Sequence, residues 1–177
     1  MKEVINITYI HAYDLSMDST GFCIFDENMN PVLIDSIPTN KKQSHGKRLK
    51  VINDKMIQLK KEYPTEIISI ERGFSRFNMA TQVIYRVHGV CNLTFYDCEQ
   101  VYYPPKTIKE TILNGSATKK QIQEVIKSKY PNIVFKNEDE SDAFAVGLTY
   151  FIKTGKMKWD KPIKATKEKK TCTKKTK

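Results

Sequence analysis

Asp14, Glu71, Asp139 and Asp142 stand where carboxylates can converge. Asp14 closes the apolar run Ile5 to Tyr13, Glu71 follows directly on Ile67 to Ile70, and Asp139 and Asp142 open a helical stretch three residues apart. Residues three apart share a helix face, and acids at the ends of adjacent strands meet when the strands lie side by side. Carboxylates crowded in this way repel one another, which raises their pKa values and loosens the fold locally until a cation relieves them. The chemistry open to such a group is phosphodiester hydrolysis, in which two hard divalent cations about 4 Å apart stabilise the attacking and the leaving oxygen. Mg²⁺ suits it, because that ion takes oxygen ligands, keeps several waters and needs few carboxylates. Each acid also has a plainer reading. Asp14 fits a turn, and Asp139 and Asp142 fit the positive end of a helix dipole. Glu138, four residues before Asp142 on the same face, and Glu140 blur the register. The four acids point to a metal site jointly rather than singly.

The elements that must position them follow from the hydrophobic pattern. Ile5 to Tyr13, Thr20 to Phe25 and Pro31 to Ile37 read as three strands of an antiparallel meander, joined by short polar turns. Leu49, Ile52, Met56 and Leu59 recur with helical spacing up to Tyr63-Pro64, and Ile67 to Ile70 is a short apolar strand that completes a strand–helix–strand crossover at Glu71. The spacing predicts a helix over about 79–94, a strand at Glu99 to Tyr103, two short helices at about 106–113 and 118–129 broken at Asn114-Gly115, and a last helix over about 139–152. Meander strands followed by alternating helices and strands give an α/β fold, a mixed central sheet with helices on both faces. The strand-end acids lie where such folds place their sites.

A length of 177 residues favours one folded unit, expected over residues 1–154, with residues 155–177 as a lysine-rich, disordered tail. The net charge of +10 resides almost wholly there: from Lys153 onward there are 11 lysines against Asp160 and Glu168, whereas residues 1–152 are close to neutral. Such a tail attracts a polyanion without regard to sequence. No apolar run is long enough to span a membrane, and the first residues lack the layout of a secretory signal, so a cytoplasmic protein with no membrane partner is expected. Cys23, Cys91, Cys98 and Cys172 form no CxxC pair and have no histidine at zinc-ligand spacing, so they read as free thiols.

Five segments in order resemble the RuvC family of Holliday-junction resolvases, and its phage-borne branch in particular. They are Asp14 followed by Thr20-Gly21; His45-Gly46-Lys47-Arg48-Leu49-Lys50; Glu71 with Phe74; Gly115-Ser116-Ala117-Thr118-Lys119-Lys120-Gln121; and Asp139 with Asp142-Ala143-Phe144-Ala145. Together they cover residues 5–152. The chain departs from the family's bacterial members in having Leu15-Ser16 rather than Pro-Gly after Asp14, in the heavier run Glu138-Asp139-Glu140, and in the lysine tail.

The resemblance implies an RNase H-like fold and a homodimer that binds a four-way DNA junction. It implies two symmetric nicks leaving 5′-phosphate and 3′-hydroxyl ends, with Mg²⁺ or Mn²⁺, two ions per site and no organic cofactor. It assigns catalysis and metal binding to Asp14, Glu71, Asp139 and Asp142, base stacking to Phe74, and DNA contacts to Lys109 and Lys119. Arg72 and Arg76 flank Phe74 in a polar loop and are suited to holding phosphates. A stripe of Val83, Val87 and Val90 on the helix after Glu71 is the expected dimer interface. Three other readings stay open: a broader nuclease for flaps, forks and other branches; a branched-DNA binder without catalysis, which would gain nothing from repelling acids; and a phosphotransferase built on Asp14 to Gly21, which would need a second phosphate loop that the chain lacks.

Overall fold

The structure is a computed structural model and describes residues 8–73 and 78–162. Strands β1 (Tyr9–Asp14), β2 (Ser19–Phe25) and β3 (Pro31–Pro38) form the antiparallel meander. Helix α1 (His45–Glu62) then crosses to β4 (Thr65–Glu71), and α2 (Asn78–Thr94) to β5 (Glu99–Tyr103). Helices α3 (Pro105–Ile112), α4 (Lys119–Lys129) and α5 (Glu138–Lys153) complete the order. The sheet runs β3-β2-β1-β4-β5, with β4 parallel to β1 and β5 parallel to β4. None of the described helices is long and apolar enough to cross a membrane. Cys23, Cys91 and Cys98 are free thiols; Cys172 lies outside the described residues.

Side chains alternate across a strand, and the two faces of this sheet bury different helices. Ile10, Ala12, Cys23 and Phe25 pack under residues of α3, α4 and α5, whereas Tyr13, Phe22, Ile24, Ile68 and Ile70 pack under residues of α1 and α2. By the same alternation Asp14 and Glu71 fall on the side of α3, α4 and α5. Tyr13 is the register partner of Ile70, so the two acids end neighbouring parallel strands at the same sheet edge.

Three local devices hold that edge. The turn after Asp14 lacks Pro-Gly, and Thr20 staples it instead: its hydroxyl donates to the Ser16 carbonyl at 2.7 Å and accepts the Ser16 N–H at 3.2 Å. Arg48, buried at 6% exposure, donates to the Met17 carbonyl at 2.9 Å and to the Thr39 hydroxyl at 2.8 Å, and pairs with Asp18. The arginine of the His45-to-Lys50 segment thus pins the loop that leaves the first acid. Third, α5 is seated on bare backbone. Gly21 is the register partner of Asp14, and a Cβ on Gly21 would lie 2.0 Å from the Asp139 carbonyl oxygen. Only glycine permits this approach, which brings the start of α5 down beside Asp14.

Two expectations need correction. Val87 is fully buried, Val83 packs against the core on the α1 and α2 side, and Val90 is half-buried, so the valine stripe is not an exposed interface. Among the described side chains of α2, the large exposed apolar ones are Tyr85 and Leu93, followed by Tyr96 just beyond the helix. Residues 155–162, expected to begin the disordered tail, are seated on the fold: Met157 and Trp159 pack on the α3, α4 and α5 core, and the Trp159 indole N–H donates to the Ile112 carbonyl at 2.9 Å. Two well-spaced apolar side chains outweigh the lysines around them. Residues 163–177 lie outside the described residues.

Gly21→Ala forces either the β2 or the α5 backbone to shift, and is expected to cost about 1–3 kcal/mol of unfolding free energy. Gly46→Ala, whose Cβ would meet open space, should be neutral or slightly stabilising. Urea denaturation of the two variants checks this; equal effects would mean that α5 does not rest on Gly21.

Candidate active site

Each acid reaches the site by a different route. Asp14 and Glu71 come from the ends of β1 and β4, and Asp142 from the second turn of α5, whose start is fixed on Gly21. Asn137 caps that helix, accepting the Glu140 N–H at 3.0 Å. Ser69, two residues before Glu71, donates its hydroxyl to the Val146 carbonyl of α5 at 3.3 Å and ties the helix to β4. Glu71 and Asp142 line an open cavity of about 150 Å³ with Lys109, Lys119, Pro105, Ile108, Ile122 and Ala145. Four of these eight lining residues are charged and four are apolar.

The electrostatics show how tightly the acids are drawn together. Burial, reinforced by the charge of Asp142, raises the Asp14 pKa to about 7, and Asp139 adds to the effect. Burial with the charges of Asp14 and Asp142 raises Glu71 to about 8. Asp142 is also raised, by burial, against the pull of Lys119. The Lys119 ammonium lies 2.5 Å from an Asp142 oxygen and 3.8 Å from Glu138. Partial burial lowers the Lys119 pKa, but the hydrogen bond and charge of Asp142, with Asp14 and Glu138, outweigh it and raise the group above an ordinary lysine.

The donor set fits a hard divalent cation. Three partly buried carboxylates, each driven toward neutrality by its surroundings, form a site short of positive charge, and oxygen is the donor that Mg²⁺ and Mn²⁺ prefer. As the side chains stand, no three His, Cys, Asp or Glu among the described residues close around one point. The positive charge that the acids share is the ammonium of Lys119, a flexible group able to move aside.

The structure thus brings together Asp14, Glu71, Asp142, Lys109 and Lys119. Asp139 borders the group, acting electrostatically on Asp14 and Asp142 while its carbonyl rests on Gly21. Of its two acidic neighbours, Glu138 is exposed and faces Lys119, whereas Glu140 is buried and accepts the Lys136 N–H at 2.7 Å, away from the cavity. Arg72 does not line this cavity. It lines another of about 440 Å³ with Gly73, Tyr85, Pro104, Pro105 and Lys106. Phe74 and Arg76 lie outside the described residues. Sequence reasoning missed the apolar wall of Pro105, Ile108 and Ile122, and also Lys106. The Pro104-Pro105 stop directly after β5 was the available signal, since it starts α3 at the same sheet edge as the acids.

A family model described as Crossover junction endodeoxyribonuclease RuvC matches residues 11–150. A protein of that name from Ehrlichia canis is 31% identical over 144 residues, 77% of this chain and 92% of its own length. Another of that name, from Christiangramia forsetii, is 28% identical over 157 residues, 81% of each chain. Among solved structures, Thermus thermophilus RuvC in complex with a Holliday junction substrate superposes with a TM-score of 0.73 at 14% identity, over 84% of this chain and 96% of that one. Fowlpox virus resolvase with its substrate Holliday junction DNA superposes with a TM-score of 0.55 at 14% identity, over 81% of this chain and 99% of that one. At such identities the superpositions show a shared fold.

The raised pKa values of Asp14 and Glu71 carry a stability consequence without added cation. The folded chain holds protons that the unfolded chain releases near pH 4, so their contribution is complete below about pH 4 and is lost as pH rises through about 7 to 8. Each group accounts for about 1.4 kcal/mol per pH unit over its range. In EDTA the chain is expected to lose stability between pH 5 and pH 8, Asp14→Asn should lose less, and Mg²⁺ should restore the wild type at pH 8. Urea midpoints at the two pH values check this, and parallel behaviour of wild type and variant would contradict it.

Proposed function

The chain belongs to the RuvC family, and from that membership we propose that it is an endonuclease that resolves four-way DNA junctions by paired, symmetric nicks near the crossover. It does so in DNA recombination, repair or phage DNA processing, in the cytoplasm. The observation that carries the reading is the convergence of Asp14, Glu71 and Asp142 with Lys109 and Lys119 at one open sheet edge. Nucleases of this family depend on metal. We assign Asp14, Glu71 and Asp142, with Asp139 at the rim, as the groups that hold Mg²⁺ or Mn²⁺, two ions per site.

Bound cations would stabilise both the attacking and the leaving oxygen of the displacement. The residues of the chain do the rest. Lys109 and Lys119 bind the non-bridging oxygens of the scissile phosphate, and Lys119 exchanges Asp142 for phosphate as the strand enters. Thr118 caps α4 and leaves Lys119 at its first turn, where backbone N–H groups favour an anion. Pro105, Ile108, Ile122 and Ala145 exclude water from one side, which strengthens the interactions inside. Water attacks phosphorus and the bond to the 3′ oxygen breaks, leaving a 5′-phosphate and a 3′-hydroxyl. Arg72, on the next cavity along the edge, holds a neighbouring phosphate, and Phe74 and Arg76 follow it in sequence.

Symmetric cutting calls for two sites related by a two-fold axis, so the working form is a homodimer. Tyr85, Gly89 and Leu93 lie four residues apart on one side of α2, all exposed, with Tyr96 after them. A Cβ on Gly89 would meet nothing, so this side is open to close approach by a second helix. We assign it as the dimer face.

Cleavage of a labelled four-way junction with Mg²⁺, Mn²⁺ or EDTA, beside duplex, flap and fork controls, tests the activity. Paired metal-dependent nicks on the junction alone are expected. Cutting of every branch would favour a general debranching nuclease, and binding without cutting a structural binder. Asp14→Asn or Glu71→Gln should lower the rate roughly a hundredfold or more while junction binding persists. Leu93→Glu should shift the chain from dimer to monomer in sedimentation and uncouple the two nicks; an unchanged mass would move the interface elsewhere.

A further inference from the structure

An α-helix leaves its last four carbonyls without intrahelical partners. In α3 these belong to Lys109, Glu110, Thr111 and Ile112. The Lys109 carbonyl accepts the Leu113 N–H at 2.9 Å. Two of the other three are satisfied from the C-terminal segment: the Ile112 carbonyl accepts the Trp159 indole N–H at 2.9 Å, and the Glu110 carbonyl accepts the Lys161 ammonium. The segment reaches them because Gly155, at a φ of 74°, turns the chain out of α5, and the Met157 N–H donates back to the Phe151 carbonyl at 3.0 Å.

The same indole engages the next helix. The Lys129 ammonium, at the last residue of α4, lies 5.1 Å from the centre of the Trp159 ring, and the ring packs on the core cluster that includes Ile108, Ile112 and Ile122. One side chain therefore joins the C-terminal ends of α3 and α4. Those helices carry Lys109 and Lys119, the two ammonium groups of the catalytic cavity. Nothing else about a tryptophan in a lysine-rich stretch requires it to reach either helix.

We propose that Trp159 is a positioning residue for strand cleavage: it caps α3 and pins α4, and so holds Lys109 and Lys119 where a scissile phosphate must lie. This rests on the nuclease reading above. Residues 155–162 are on this account a strap of the catalytic unit. Small displacements of groups that orient a reacting phosphate have large kinetic effects, since misplacement by about 1 Å can cost about 100-fold.

The test is single-turnover cleavage of a four-way junction at saturating full-length protein with Mg²⁺, together with junction affinity in EDTA. Trp159→Phe keeps a smaller aromatic ring against the core and loses the N–H donor; Trp159→Ala loses both. We expect the cleavage rate to fall about 3- to 10-fold in the first and about 10- to 100-fold in the second, with affinity changed less than about threefold. If Trp159 acts through Lys109, the double variant Lys109→Ala with Trp159→Phe should be no more than about twofold slower than Lys109→Ala alone. Lys158→Ala, which alters the strap's charge and neither tie, should cut like wild type. Where Trp159→Ala fails to fold, Trp159→Phe and the double variant decide. Unchanged rates with reduced thermal stability, or multiplicative effects in the double variant, would overturn the inference and leave the nuclease reading standing. A wild-type chain that cuts no branched DNA would overturn both.

Discussion

Three carboxylates held where they cannot all ionise comfortably are the constraint around which this molecule is arranged. Burial and mutual repulsion lift Asp14 and Glu71 far above ordinary acids, with Asp142 raised beside them. A sheet edge left to itself would relax such a cluster by splaying its ends. Here parallel pairing of β1 and β4 fixes two of the acids side by side, and the seat of α5 on Gly21 fixes the third. The strain of the charge is thus carried by backbone contacts that do not yield easily. Lys119 partly relieves it, and a divalent cation would relieve it further.

Polar groups around the edge act chiefly to hold its loops and helix starts. Arg48 and Thr20 secure the turn after Asp14, and Asn137 and Glu140 cap the start of α5. His11, on the opposite face, serves the strand itself: its Nε2–H donates to the Tyr63 carbonyl at 2.8 Å, and burial lowers its pKa to about 4, so it stays neutral where most proteins work. The two lysines of the cavity stand on two short helices, and short helices are poorly stable by themselves. Their ends are tied down, α3 by Trp159 and Lys161 from outside it, α4 by its own capping box and by Trp159 under Lys129.

Much of this was legible in one dimension. The five strands and five helices of the described residues and the mixed sheet followed from period-two and period-3.6 patterns, because this sheet buries both faces and each element keeps a distinct rhythm. The acids were legible because Asp14 and Glu71 end apolar runs and Asp139 and Asp142 share a helix face. What failed was assignment of sidedness. Val83, Val87 and Val90 have the spacing of an apolar stripe, and spacing alone does not say whether the chain's own core or a second chain covers it; Val83 and Val87 pack into the chain's own core. Trp159 failed for a related reason, since composition averages a segment while one aromatic side chain can anchor it.

By itself the sequence determined which residues are available: four acids, their places at strand ends and in one helical turn, the order of elements, and the five motifs that mark the family. Only the tertiary structure decided which of them meet. Convergence depends on the parallel register of β1 and β4 and on a backbone approach over Gly21, both of them contacts between residues far apart in the chain. For the same reason Glu140, between Asp139 and Asp142 in sequence, turns into a cap, while Lys109 and Lys119, ten residues apart on separate helices, share one cavity.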